Sequence, residues 1–126
     1  MKATFTGKLL ISETTSKENK IARALDASVA DLNTYHHSQV EVDANEQDLS
    51  LDMNLTQASV IYLKVTKLSD GTPIEAIFEL DGYSGSVVTG EIKTSEILIL
   101  NTDVVALAVS NDHNFSVLVE FVAAGA

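Results

Sequence analysis

The chain has 126 residues, 45 % of them hydrophobic, with no cysteine and eight Lys and Arg against eighteen Asp and Glu, a formal net charge of -10. A chain of this length buries one core without covalent or metal support, so a single domain over residues 1–126 is expected. The missing cysteines exclude disulfides, thiolate metal sites and cysteine nucleophiles, and the acidity disfavours partners with phosphate backbones or anionic lipid surfaces. Neither nucleic acid nor membrane is therefore an expected partner. The N-terminal segment lacks the apolar run of a signal peptide and no stretch is long enough to span a bilayer, so nothing points to export or insertion.

In chain order, Ala3, Phe5, Gly7, Leu9 and Ile11 alternate with Thr4, Thr6, Lys8 and Leu10, which predicts a strand over Thr4–Ser12 with one buried face. Glu13–Lys20 is polar and aperiodic, as loops are. Ile21, Leu25, Val29 and Leu32 recur at four, four and three in an Ala-rich stretch, the stripe of an amphipathic helix, while Asp26, Ser28, Asp31 and Asn33 suit a solvated strand or loop equally well. Residues 13–36 are thus expected as a short helix or an arm.

Val40 and Val42, then Leu49, Leu51 and Met53, alternate with polar residues on either side of an Asp43-Ala44-Asn45-Glu46 turn. Val60–Val65 is β-branched and aromatic, suited to a central strand. Ser69–Pro73 concentrates turn formers, Ile74–Leu80 alternates again, Asp81-Gly82 signals another turn, and Tyr83–Lys93 holds a short strand. Glu96–Leu100, Val104–Ser110 and Phe115–Ala123 are apolar runs separated by Asn101-Thr102-Asp103 and Asn111–Asn114, read as strands joined by short hairpins. The fold class expected from these runs is all-β, an antiparallel β-sandwich or jelly-roll-like structure.

Candidate chemistry is sparse. His36 and His37 suit a transition metal, but neighbours on a strand point to opposite faces, and only His113 remains as a third imidazole. Asp43, Asn45, Gln47 and Asp48 imitate a calcium loop, yet Asp48 stands where the tight turn needs glycine and Asn54 where a bidentate carboxylate is needed. Gly82-Tyr83-Ser84-Gly85-Ser86 has the wrong spacing for a nucleophile elbow, and Gly85 and Gly90 lack the Lys-Ser/Thr pair of a phosphate loop. Alternation places Glu75 and Glu79 on the face opposite Phe78 and Leu80, facing solvent. No catalytic, cofactor-binding or metal residue is assigned, and no enzyme activity or cofactor is expected. Without tryptophan, only Tyr35, Tyr62 and Tyr83 remain as candidate aromatic platforms for a carbohydrate.

The C-terminal half, VIYLKVT (Val60–Thr66), GTPIEAIFEL (Gly71–Leu80), EILILNTDVVALAVSN (Glu96–Asn111) and FSVLVEFVAAG (Phe115–Gly125), resembles small β-sandwich virion structural proteins of tailed bacteriophages. The likeness is confined to that half; Asn101-Thr102-Asp103 stands where the pattern often has glycine, and residues 13–36 match none of it. The resemblance implies a capsid decoration (cement) or tail-associated protein in the virion, assembled in the host cytoplasm. It further implies partners in copies of itself, a trimer preferred, and in other virion proteins such as the major capsid protein. A tail- or fibre-associated module binding a carbohydrate or receptor is the alternative.

Overall fold

In the computed structural model, which describes residues 1–12, 19–82 and 89–125, alternation of side chains across the sandwich strands sorts most buried apolar residues into a main core. The described residues contain no helix. The strands are β1 (Ala3–Ser12), β2 (Asn19–Val29), β3 (Thr34–Val42), β4 (Leu49–Leu51), β5 (Ala58–Lys67), β6 (Ala76–Asp81), β7 (Thr89–Thr94), β8 (Glu96–Val104), β9 (Ala106–Ser110) and β10 (Val117–Gly125). Two antiparallel sheets of four strands, ordered β3-β10-β5-β8 and β4-β9-β6-β7, pack together, and β1 and β2 form a separate two-stranded ribbon. The protein is an all-β antiparallel sandwich.

Its interior is dictated by period two. Ile61, Leu63 and Val65 of β5 and Val117, Val119, Phe121 and Ala123 of β10 point inward from one sheet. Ala76, Phe78 and Leu80 of β6 and Leu107 and Val109 of β9 come from the other. Phe78 is closed to water and Phe121 nearly so, each contributing about 1.5–3 kcal/mol from burial alone. A bulge between Ala58 and Val60 shifts the phase of β5, so that Val60 faces outward beside Ala124 of β10.

The winding is that of one long hairpin rolled up: β3 pairs with β10, β4 with β9, β5 with β8 and β6 with β7. Contacts of β10 with β5 and of β6 with β9 complete the sheets. From β3 onward, every step from one strand to the next, β6 to β7 excepted, crosses between the two four-stranded sheets.

Two sequence expectations are corrected here. Asn101-Thr102-Asp103 is not a hairpin turn: β8 runs through it to Val104, and the chain changes sheets at Val105, whose N–H donates to Asp81 O (2.8 Å). Asn111–Asn114 likewise links strands of different sheets, β9 and β10. The remaining turn at Ser69–Pro73 forms as expected, with Gly71 at φ 74° and its N–H donating to Lys67 O (2.8 Å). Both the Thr72 hydroxyl and its N–H donate to Asp70 (2.6 and 2.9 Å), which holds that carboxyl below its usual range.

The helix-or-strand alternative left open by the stripe is settled for residues 19–29, which are strand β2. A spacing of four is an even number, so Ile21, Leu25 and Val29 are in phase for a strand as well as for a helix. Only Leu32, three residues on, separates the two, and it follows a change of course at Asp31, whose φ is 60°. The β1 strand begins one residue earlier than read, at Ala3.

Asn111 is the one buried polar side chain among the described residues. Its amide donates to Asp43 O (3.0 Å) and Phe115 O (2.8 Å), and its Oδ1 accepts from His113 N (3.0 Å). The β3–β4 corner is thereby tied to the β9–β10 corner. Asn111→Ala would strip Phe115 O and the His113 N–H of this partner and Asp43 O of one of its two donors, so unfolding free energy should fall by roughly 2–3 kcal/mol in urea titration. Gln47→Ala, at an exposed side chain that donates to Asp112 (2.8 Å) and to Asn111 O (3.3 Å), should cost less, about 1 kcal/mol or below. At the end of β10, a Cβ on Gly125 would lie 2.1 Å from Gln57 O. Gly125→Ala must therefore displace backbone and should cost roughly 1–3 kcal/mol in the same titration, whereas Gly90→Ala, in open space, should be tolerated.

Candidate functional site

The ribbon is built from the same alternation as the sandwich but has no sheet opposite it. β1 and β2 pair antiparallel in ten positions, with a register shift between Ile11 and Ser12. Directly paired residues share a face. Ala3 with Val29, Phe5 with Ala27, Gly7 with Leu25 and Leu9 with Arg23 therefore make one face almost wholly apolar. The reverse face carries Thr4 with Ser28, Thr6 with Asp26, Lys8 with Ala24 and, toward the tip, Leu10 with Ala22.

Only the root of the apolar face is covered. Met1 and Leu32 exchange backbone hydrogen bonds (2.9 and 3.0 Å), and Asn33 N–H donates to Gly125 O (3.0 Å), fastening the ribbon to β10. Val29 and Leu32 then pack on Val60 and Ala124, with Ala3, Leu98 and Leu100 around them, as a second small core on the outside of the sandwich. Beyond the root, Phe5, Leu9 and Leu25 are 37 %, 43 % and 41 % exposed. The Phe5 ring lies across Gly7, where any side chain would collide with it.

Between ribbon and sandwich opens an apolar notch of about 390 Å³. Ala3, Thr4 and Phe5 form one wall; Val60, Tyr62, Leu98, Leu100 and Val122, on the outward face of the β3-β10-β5-β8 sheet, form the other. Its polar feature is Tyr62, whose hydroxyl donates to the Glu96 carboxylate. That bond, together with partial burial, pushes the Tyr62 pKa up to about 12.

The residues singled out in the sequence are dispersed. His37 Nε2 donates to Glu120 Oε2 (3.0 Å) on the outer face, and this bond keeps the Glu120 carboxyl below its usual range. His36 tilts against Phe121 with ring centres 5.7 Å apart. His113 stacks on Phe115 at 4.8 Å and its Nε2 bonds to Glu75 O (2.8 Å), while Lys67 sits over the other aromatic ring at 4.6 Å. Among the described residues, no group of three or more His, Asp or Glu is placed to hold a metal ion.

The calcium-like stretch fastens a corner instead. Glu46 accepts from Asp43 N (3.0 Å), Gln47 donates to Asp112 (2.8 Å), Asp48 N donates to Ser110 Oγ (3.0 Å) and Asp52 accepts from Asn54 N (2.8 Å). Glu79 faces outward opposite Glu91 in register, and Glu75 is exposed just before β6. The Gly82–Ser86 segment, with Tyr83, Ser84 and Gly85, lies mostly outside the described residues. Tyr35 is 65 % exposed at the ribbon root.

Sequence reading did not single out the notch or the ribbon's bare face. The available signal was that every odd position from Ala3 to Ile11, and most from Ile21 to Val29, is apolar. Two such runs flanking a polar connection describe an amphipathic ribbon. No family model, curated protein or solved structure matches the chain.

The Tyr62–Glu96 bond gives the notch a measurable marker. The folded protein holds the Tyr62 proton more tightly than the unfolded chain, so its stabilising effect is complete below pH 10 and lost as pH rises through about 12. Phenolate absorbance titration, with Tyr62→Phe identifying the signal, should place this tyrosine near pH 12. Glu96→Gln should move it down toward the ordinary tyrosine value.

Proposed function

We propose that this protein is a non-enzymatic structural subunit that works by associating with copies of itself and docking on a larger assembly. The exposed ribbon carries this reading: of the seven large apolar side chains exposed among the described residues, Phe5, Leu9, Leu10 and Leu25 belong to it. Concentrated apolar exposure on one projecting element is characteristic of a contact surface, since scattered exposure is what monomers tolerate. The concave surface beside it is lined by apolar groups, which suits packing by another apolar surface.

The likeness of the C-terminal half to virion structural proteins of tailed bacteriophages supplies the setting: a capsid decoration protein, with the major capsid protein as its second partner and a trimer as the preferred form. An eight-stranded rolled sandwich with corners pinned by Asn111 is a rigid body suited to such a lattice role. The carbohydrate-binding alternative has weaker support, since the Tyr62 hydroxyl is engaged by Glu96 and Tyr35 stands apart as an exposed ring.

Sedimentation of the purified chain over a wide concentration range is expected to show a discrete oligomer, and incubation with phage capsids lacking decoration should leave it bound to them. A chain that remains monomeric at the highest concentration and stays in the supernatant would remove this proposal.

A further inference from the structure

We infer that the β1–β2 ribbon of one copy lies, apolar face down, on the notch and outward apolar face of the β3-β10-β5-β8 sheet of a neighbouring copy. This deepens the self-association reading and rests on it.

The first argument is stability. A two-stranded ribbon is marginal alone in water. Here its contact with the sandwich is confined to the root, yet it is paired through ten positions. Leu9 and Leu25 stand well beyond that root and remain exposed. Covering them needs an apolar surface that the chain's own sandwich does not bring to them.

The second argument is shape and area. The ribbon's face measures roughly 33 Å by 10 Å from strand rise and spacing. When each copy gives one ribbon and receives another, two such faces amount to roughly 660 Å² per partner less the covered root, at the low end of specific interfaces. Of the receiving surface, Val60 is already buried under the ribbon root, while Tyr62, Leu98, Leu100 and Val122 are half-buried and line the apolar notch beside it.

The third argument is charge. Five of the eight basic residues (Lys2, Lys8, Lys17, Lys20 and Arg23) precede Ala30, with only three acidic ones (Glu13, Glu18 and Asp26). That segment therefore carries +2, and the remaining three basic and fifteen acidic residues leave -12 on the rest. Whole copies repel, but a ribbon approaching a neighbour's sandwich is attracted, and Glu96 stands at the edge of the receiving notch. The same balance selects donor-to-acceptor docking over ribbon-on-ribbon packing. Such contacts close as a reciprocal pair or as a ring.

The test compares the full-length chain with Leu9→Asp/Leu25→Asp, both at exposed positions, after circular dichroism confirms that the sandwich is folded. The double variant should weaken association by roughly a hundredfold or more in sedimentation. Because the chain has no cysteine, Leu9→Cys protein mixed with Leu98→Cys protein should form a mixed disulfide that is necessarily intermolecular. Unchanged association of the double variant, or no mixed disulfide between associated copies, overturns the inference while leaving self-association intact. Wild-type binding to phosphatidylcholine vesicles that the double variant loses would assign the face to a bilayer and also overturn it. So would a double variant that stays oligomeric but no longer attaches to capsids. A monomeric wild type would instead defeat the reading on which the inference rests.

Discussion

Phe78 and Phe121 belong to different sheets and are shut into one core, and the rest of the molecule is arranged around that face-to-face burial. Each sandwich strand can offer only one side to it, because successive side chains point in opposite directions. The other side must meet water or a partner. A sandwich whose inner faces are filled by Val, Leu, Ile and Phe leaves its outer faces, corners and the projecting ribbon for function. The polar bonds found at the β3–β4 and β9–β10 corners fit this division: they fix where the chain changes sheets, and Asn111 has a partner for each side-chain atom it buries.

The ribbon follows the same rule without the condition that satisfies it. Ala3, Phe5, Leu9, Leu25 and Val29 alternate as faithfully as the residues of β10, but past Val29 and Leu32 no opposing sheet closes over them. Burial of one strand face contributes stability only when something apolar lies across it. An element that is half of a core thus stands outside the core, next to an outward patch that is apolar for the same reason. The bulge between Ala58 and Val60 helps make that patch, since it turns Val60 away from the interior.

Basic residues are concentrated in the N-terminal segment and acidic residues elsewhere. Uniformly acidic copies would only repel. Five of the eight basic residues precede Ala30, so the acidity is carried by the rest of the chain.

Period-two patterning was sufficient, from the sequence by itself, to establish an all-β chain and to locate the strands around Val40, Leu63, Phe78, Val109 and Phe121, because a strand's alternation is a local property of its side chains. The turn at Gly71 was legible for the same reason: positive φ is a demand on one residue. Tertiary structure alone decided the rest. Whether Asn101–Asp103 bends or continues depends on whether β8 pairs with β5, and no local residue records that. Whether Ile21, Leu25 and Val29 serve a helix or a strand depends on β1, since four-residue spacing satisfies both and the register with a distant segment breaks the tie. The bare ribbon face and the notch follow from which sheet covers which strand, and burial is a relation between segments rather than a property of either.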